Sequence, residues 1–469
     1  MNLQAFRSDI ADIPHTDDPV QVARKSRDFT NSPILREEAE GKTADLLVSP
    51  RSKDDVFRIA RACALHRVPL VARGGGTANF GQGIPMAGGI ILDMTGLNKV
   101  LWVKDRKVRT EPGIFLLDLD QQLQREHGLE LRMHPSTRKT ATLGGYVAGG
   151  HVGVGSCTYG ILHDRGNIVG IEAVSVENEP KLIEVRGSDV NRLHHAYGTN
   201  GIITELEMPL APAYRWLEAI VEFDDFMKVV SFLISLCQEH GIIIKLASGN
   251  GWPLPQFFHP LAHYVTPGHH TAHVMVADEF DEVFHCMVEE SGGRLAYAGL
   301  EGQGPFNIPL YEFSFGHVRR YIDRVDRSLI ANFGVFQADD LFGCIQRVHR
   351  RFPDAPFALD MKRKDGILTA QGSPFFPYVD AANFARRIEE FQEMGYVSAN
   401  VHTFFVRENG MKTIDASEIA FKREMDPHNL MNPGKFSADE VEKPGVGSSL
   451  PTMGWKYRKT GELVDAVSK

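Results

Sequence analysis

The chain has 469 residues, 43% of them hydrophobic and 24% charged, ordinary globular proportions that exclude a largely disordered or fibrous chain and a length that suggests two or three domains. With 51 basic against 60 acidic side chains the net charge is −9, which opposes generic attraction to nucleic acid or anionic lipid. The five cysteines, Cys63, Cys157, Cys237, Cys286 and Cys344, are widely spaced and form no C-x-x-C pair, so neither a disulfide framework nor a structural zinc site is indicated and a reducing cytoplasm is the expected location.

At the N-terminus, Met1 to His15 carries Asp9 and Asp12 and lacks an apolar core, and the longest apolar stretch, near Val229 to Cys237, is too short for a bilayer; no export signal and no membrane span are expected. From Ala44 to Pro212 short β-rich runs follow one another, separated by Gly, Pro and Asn: Leu46 to Val48, Pro69 to Ala72, Gly89 to Met94, Val100 to Val103 and Lys107 to Thr110. Val56, Ile59, Ala60, Cys63 and Ala64 recur at helical spacing between the first two, and Leu116, Leu119 and Leu123 mark a second helix that stops at Gly128.

After Pro212 the texture changes to four longer βαβ units. They are Leu217 to Glu222 through a helix to Ile242–Leu246, Thr271 to Ala277 through a helix to Arg294–Ala298, Leu329 to Val335 through Leu341–Arg351 to Phe357–Lys362, and Gly366 to Ala370 through Ala381–Met394 to a strand at Ala399–Val406. Such units predict an α+β domain, an antiparallel sheet backed by helices on one face with ferredoxin-like βαβ pieces. Beyond Ser437 the chain reads as an irregular extension. The resulting division is a segment 1–43, a strand-dense domain 44–212, a cap domain 213–406 and a C-terminal segment 407–469.

The strongest local feature is the strand Pro69 to Ala72 running into Arg73-Gly74-Gly75-Gly76-Thr77-Ala78-Asn79-Phe80-Gly81-Gln82-Gly83. A loop of this kind either supplies turns that need positive φ or turns its amide N–H groups inward as an anion nest, close to a pyrophosphate because no Cβ intervenes. It does not open a helix, which removes the dinucleotide fingerprint, and Gly41-Lys42-Thr43 has Arg36 where a Walker loop needs its first glycine. Two more glycine clusters follow, Thr142 to Gly155 and Gly198-Thr199-Asn200-Gly201-Ile202-Ile203-Thr204.

Three such clusters in this order, with Asp426-Pro427 and Asn432-Pro433-Gly434-Lys435 near the C-terminus, resemble the vanillyl-alcohol oxidase superfamily. Its members, among them p-cresol methylhydroxylase, cytokinin dehydrogenase and D-lactate dehydrogenase, share a PCMH-type two-subdomain FAD-binding fold. The resemblance covers Ala44 to Pro212 and Ile419 to Phe436; the middle matches in architecture alone. It implies FAD as cofactor, with Arg73, Gly74, Gly75, Gly76, Thr77 and Ala78 holding the pyrophosphate and Gln82 and Gly83 close by. Thr142, Gly144, Gly145 and Ala148 would line the flavin or its ribityl chain, and Ile202 and Ile203 would offer backbone contacts. Some members tether FAD through a histidine where this chain has Thr77, so the cofactor is expected to be noncovalent unless a cap histidine is used.

Flavin oxidation of a C–H bond needs a proton acceptor and donors for an oxygen anion. The aspartate that cytokinin dehydrogenase places before T-x-G-G is missing from Pro135-Ser136-Thr137-Arg138. The candidates are His402, at the exit from the cap, and Tyr311, His317 and Arg319, from a stretch that combines a phenol, a carboxylate, an imidazole and guanidiniums; Arg319 suits a substrate carboxylate. His151 lies inside the second glycine cluster. The loop histidines His259, His263, His269, His270 and His273 lack the acidic pattern of a metal site, and no metal is assigned. The implied activity is an FAD-dependent oxidase or dehydrogenase acting on a C–H beside a hydroxyl, in a 2-hydroxy acid or an alcohol. Oxidation of an aromatic or phenolic substrate and a non-catalytic flavin-binding sensor or partner subunit are the competing readings. The small-molecule substrate is unidentified, and the electron acceptor, whether oxygen, a quinone or a redox protein, is left open.

Overall fold

A computed structural model describes residues 1–30, 32–304, 307–336, 339–436, 456–459 and 462–465. In the first lobe Leu46–Val48, Ile90–Asp93 and Leu70–Arg73 form a parallel sheet, edged by an antiparallel strand at His15–Thr16. The helix Lys53–His66 starts where Ser52 accepts the Asp55 amide and ends at Arg67, in left-handed conformation (φ 55°). Its Val56, Ile59, Ala60 and Cys63 face pack onto the sheet together with Phe6 and Ile10 from the N-terminus and Leu430 and Met431 from the far end of the chain. The first 43 residues thus carry helices, Leu3–Asp9, Pro19–Lys25 and Pro33–Glu38, which close over the first lobe.

The second lobe is antiparallel, in the order Val100–Lys104, Lys107–Thr110, Ile202–Pro212, Gly170–Val174, Leu182–Arg186, with Leu129–Leu131 also paired to Ile202–Pro212. Leu116, Leu119 and Leu123 of the helix Leu116–His127 are buried against it, and Gly128 (φ 63°) ends the helix.

From Trp216 to Ser398 a 9-stranded antiparallel sheet is built from two ferredoxin-like halves, joined edge to edge where Ile244–Asn250 meets Phe357–Lys364. Alternation along Trp216–Phe223 sets its two faces. Leu217, Ala219, Val221 and Phe223 pack under the helices Phe226–Gln238, Asp281–Glu290, Leu341–Arg351 and Ala381–Glu393. Trp216 and Ile220 point the other way, onto Leu254, Phe258, Phe313 and Ile322.

Two expected strands come out differently. Leu329 to Val335 is broken into Leu329–Ala331 and Gly334–Phe336. The last cap strand is Tyr396–Ser398, and Ala399 to Val406 is irregular, because Asn400 accepts the His402 amide and Asn409 Nδ2 donates to the Asn400 carbonyl, local bonds that compete with a ladder. Of the expected irregular tail, Lys456–Lys459 and Glu462–Asp465 pair as an antiparallel hairpin and the rest lies outside the described residues. Among the described residues no helix is long and apolar enough to cross a membrane.

Candidate active site

The strand Leu70–Arg73 delivers its glycine loop to a cavity between the two lobes. Residues 73–78 form one wall, with Gln82 and Gly83 beyond them; Thr142, Gly144, Gly145 and Ala148 form another. Ile203 reaches the lining, whereas Ile202 is fully buried in the first lobe's core.

The glycines serve packing as well as approach. A Cβ on Gly74 would overlap Thr142 Oγ1 and one on Gly75 the Thr140 carbonyl, so their missing side chains make room for the second glycine segment, not only for a ligand. Gly76 has φ 67°, a conformation that favours glycine. That second segment is itself a helix, Leu143–Gly149, despite its glycines: Thr142 Oγ1 caps it by accepting from the Gly145 amide at 3.3 Å.

The donor set fits an anionic dinucleotide. The amides of Gly75, Gly76, Thr77 and Ala78 donate to no acceptor among the described residues. Arg73 is buried beside them, its Nη1 donating to the Arg27 carbonyl at 2.6 Å while Nε has no acceptor. Consecutive free amides next to an underused guanidinium are an anion nest. The C-terminal motif braces this loop: Lys435 Nζ donates to the Gly81 carbonyl at 2.6 Å, and Asn432 Nδ2 donates to the carbonyls of Gln82 at 2.8 Å and Tyr197 at 2.7 Å. Burial pushes the Lys435 ammonium down to about 7.

A second chamber adjoins the first, and Asn79, Phe80, His151 and Gly316 line both. His151 is half-buried where the two meet, and burial, helped by His317, pushes it down to about 4, so it is neutral at pH 7. His402 faces the second chamber with Nδ1 2.7 Å from Ser32 Oγ, and burial takes it down to about 3. Arg319 also faces this chamber, Nε 2.7 Å from Asp323 Oδ1.

His317 lines the first cavity, its Nδ1 2.7 Å from Glu312 Oε2 and its Nε2 accepting from Arg320 Nη1 at 3.1 Å. Tyr311 lines neither cavity. It is buried with its ring edge against His134 and its hydroxyl toward Arg138, whose guanidinium is 2.7 Å from Asp120 and 3.0 Å from Glu301. The sequence alone gave Asn79 and Phe315 no role. Phe315 has φ 49°, which strains a bulky residue, and its amide donates to the buried Asp360 carboxylate at 3.2 Å.

Of the loop histidines, His259 and His263 sit on the 3-10 helix His259–Tyr264, while His270 and His273 belong to the strand His270–Ala277, where His273 is buried. Among the described residues no group of three or more His, Cys, Asp or Glu is placed to hold a metal ion.

Comparison with known proteins bears on the cofactor side. Residues 44–179 match the family described as FAD binding domain. The glycolate oxidase subunit GlcD of Bacillus subtilis (strain 168) is 32% identical over 177 residues, 36% of this chain and 37% of that protein. The mitochondrial D-lactate dehydrogenase [cytochrome] of Arabidopsis thaliana is 33% identical over 175 residues, 35% of this chain and 30% of that one. The match therefore spans about a third of these curated relatives. Over nearly the whole chain the fold is similar to that of an alkyldihydroxyacetonephosphate synthase structure, with a TM-score of 0.69, 16% identity, and 92% of this chain and 86% of that one covered. The α+β architecture of two lobes under a cap is accordingly of the p-cresol methylhydroxylase type, and residues 44–179 form an FAD-binding domain, with FAD as the cofactor.

Proposed function

We propose that the chain is an FAD-dependent oxidoreductase, an oxidase or dehydrogenase, that takes hydride from a C–H beside a hydroxyl of a small organic substrate such as a 2-hydroxy acid or an alcohol. The observation that carries this reading is the shared wall: Asn79, Phe80, His151 and Gly316 face the cofactor cavity and the second chamber at once, so a molecule in the chamber can present a C–H bond directly to the cofactor. The similar proteins named for glycolate and D-lactate oxidation share the FAD-binding third of the chain, which supports the reaction class.

Bound FAD supplies the two-electron acceptor. His151, neutral at the junction of the two cavities, is the side chain there that can accept the hydroxyl proton as hydride leaves the adjacent carbon, although the burial that keeps it neutral also weakens it as a base. Asn79 can hold the substrate oxygen from the same wall. Arg319 can attract an anionic substrate, and His402, neutral and held by Ser32, shapes the chamber's far side. Both ring nitrogens of His317 are engaged, which suits it to hold the wall rather than to move a proton. Tyr311 would act through Arg138, fastening the cap to the second lobe. Thr77 on the pyrophosphate wall favours noncovalent FAD. In this reading 44–212 is the cofactor domain, 213–406 the substrate cap, and 1–43 and 407–469 segments that close over the cofactor domain.

An aromatic substrate is the second reading, favoured by Phe80, Phe315, Phe333 and Phe375 in the chamber wall. The test is anaerobic mixing of the FAD-loaded protein with hydroxy acids, alcohols and amines. Bleaching of the flavin by a hydroxy acid or alcohol is expected. A yellow protein bleached by none of them would be a flavin-binding sensor or partner subunit, and a protein unable to take up FAD would defeat both readings.

A further inference from the structure

The second chamber is less polar than a two- or three-carbon hydroxy acid requires. Phe80, Phe315, Phe333 and Phe375 supply aromatic surface, and Ile330 and Val401 extend it. A molecule of lactate size would leave most of that wall in contact with trapped water, whereas an apolar body removes it from water.

The polar groups are few and differ in kind. His151 and His402 are neutral at pH 7, and Asn79, Ser32 and Ser373 carry no charge. Arg319 is the one formally charged side chain among the lining residues described. Asp323 engages its Nε edge, and Arg36 adds a second positive charge nearby. A planar guanidinium approached on one edge by a carboxylate can still offer its Nη edge to a second one.

We infer that this chamber takes an organic acid with a bulky, flat apolar body: the carboxylate meets Arg319, the body lies among the phenylalanines, and the hydroxyl-bearing carbon sits at the Asn79–His151–Gly316 junction. The assignment rests on the oxidoreductase reading and narrows its substrate. Bound FAD would accept the C–H hydrogen with its electron pair as hydride, so that, with the hydroxyl proton passed to His151, the 2-hydroxy acid would become a 2-oxo acid.

Binding is tested first, with ligands that cannot react. Phenylacetate, propionate and toluene would be titrated into the full-length FAD-loaded protein and followed by the change in flavin absorption and by thermal shift. Phenylacetate is expected to bind about tenfold or more tighter than propionate, since burying the ring removes several methylene equivalents of apolar surface from water. Arg319→Met should erase the advantage of phenylacetate over toluene, and Arg319→Lys should restore part of it. Equal binding of propionate and phenylacetate would overturn the apolar body, and an unchanged preference in Arg319→Met would overturn the anion site. Should Arg319→Met fail to fold, the wild-type comparison of phenylacetate with toluene still decides.

Anaerobic bleaching separates this inference from the reading beneath it. The inference expects higher kcat/KM for 2-hydroxy-2-phenylacetate than for lactate. Lactate bleaching as well or better would overturn the inference and leave the oxidoreductase reading standing. If no hydroxy acid or alcohol bleaches the flavin, the oxidoreductase reading fails, and the reaction assigned here fails with it.

Discussion

Lys245 Nζ lies 2.8 Å from Glu130 Oε1, and the two buried side chains join the cap strand Ile244–Asn250 to the second-lobe strand Leu129–Leu131. Trp216 Nε1 donates to the other carboxylate oxygen at 3.1 Å, and the ammonium stands 4.9 Å from the centroid of the same indole. Lys245→Met leaves the Glu130 charge buried and unpaired, an expected loss of about 3–5 kcal/mol. Urea unfolding of the FAD-loaded protein measures it. The double variant Lys245→Met/Glu130→Leu should recover much of the loss, because replacing both partners removes the orphaned charge; a single variant as stable as the parent would refute the clamp.

On the cofactor side, Gly75→Ala drives a Cβ into the Thr140 carbonyl and should abolish FAD retention through gel filtration. Arg73→Leu removes the buried guanidinium beside the free amides and should weaken FAD binding by about tenfold or more, the worth of a charge-assisted hydrogen bond. Flavin fluorescence on dilution reads the change. Acid precipitation of the parent protein is expected to release all the yellow colour to the supernatant, and colour kept in the pellet would mean a covalent tether.

The parts of this site that were legible in the sequence are those written in contiguous residues. The strand into Arg73-Gly74-Gly75-Gly76, the amphipathic helix beside it and the Asn432-to-Lys435 brace each announce themselves locally. The helix Leu143–Gly149 was hidden by its glycines, whose low helix propensity outweighed the one favourable signal, the Thr142 cap. The chamber was hidden for another reason. Ser32, Phe80, His151, Phe315, Phe375 and His402 come from distant parts of the chain, and they meet only because the cap sheet docks on the lobes. No local pattern encodes that meeting. Nor does one announce that Tyr311 turns toward Arg138 while Arg319, one helix further on, turns into the chamber.

Burial makes the protein acid-sensitive. His151 is pushed down to about 4, and His195, His273 and His402 to about 3, whereas each titrates at about 6.5 in an unfolded chain. Between these values the unfolded state binds protons that the folded state refuses. Stability is therefore full above pH 6.5 and falls as pH drops toward 4, by about 1.4 kcal/mol per pH unit for each histidine. Melting temperatures from pH 7.5 to 4.5 should decline steeply below 6.5. His273→Gln, inside the cap core and outside both cavity linings, should make that slope shallower by one proton; an unchanged slope would show that His273 does not titrate in this way.

Asp360 holds the most strained residue of the chamber wall. Its Oδ1 accepts from the Phe315 amide at 3.2 Å and from Ser248 Oγ, and Phe315, at φ 49° and ψ −136°, leads into Gly316 and His317 on the cofactor wall. Strain of this kind costs about 1–3 kcal/mol and persists only where surrounding bonds impose it. Asp360→Leu removes the acceptor, leaves the amide and the hydroxyl unpaired in the interior, and should cost about 1–3 kcal/mol of stability. Asp360→Asn keeps an acceptor oxygen and should cost less. If the carboxylate sets the wall, Asp360→Leu also raises KM for the substrate more than it lowers kcat, because Phe315 relaxes toward an ordinary conformation and the chamber changes shape. A variant with KM unchanged and stability alone reduced would leave Asp360 as an ordinary buried hydrogen-bond partner with no hold on the chamber.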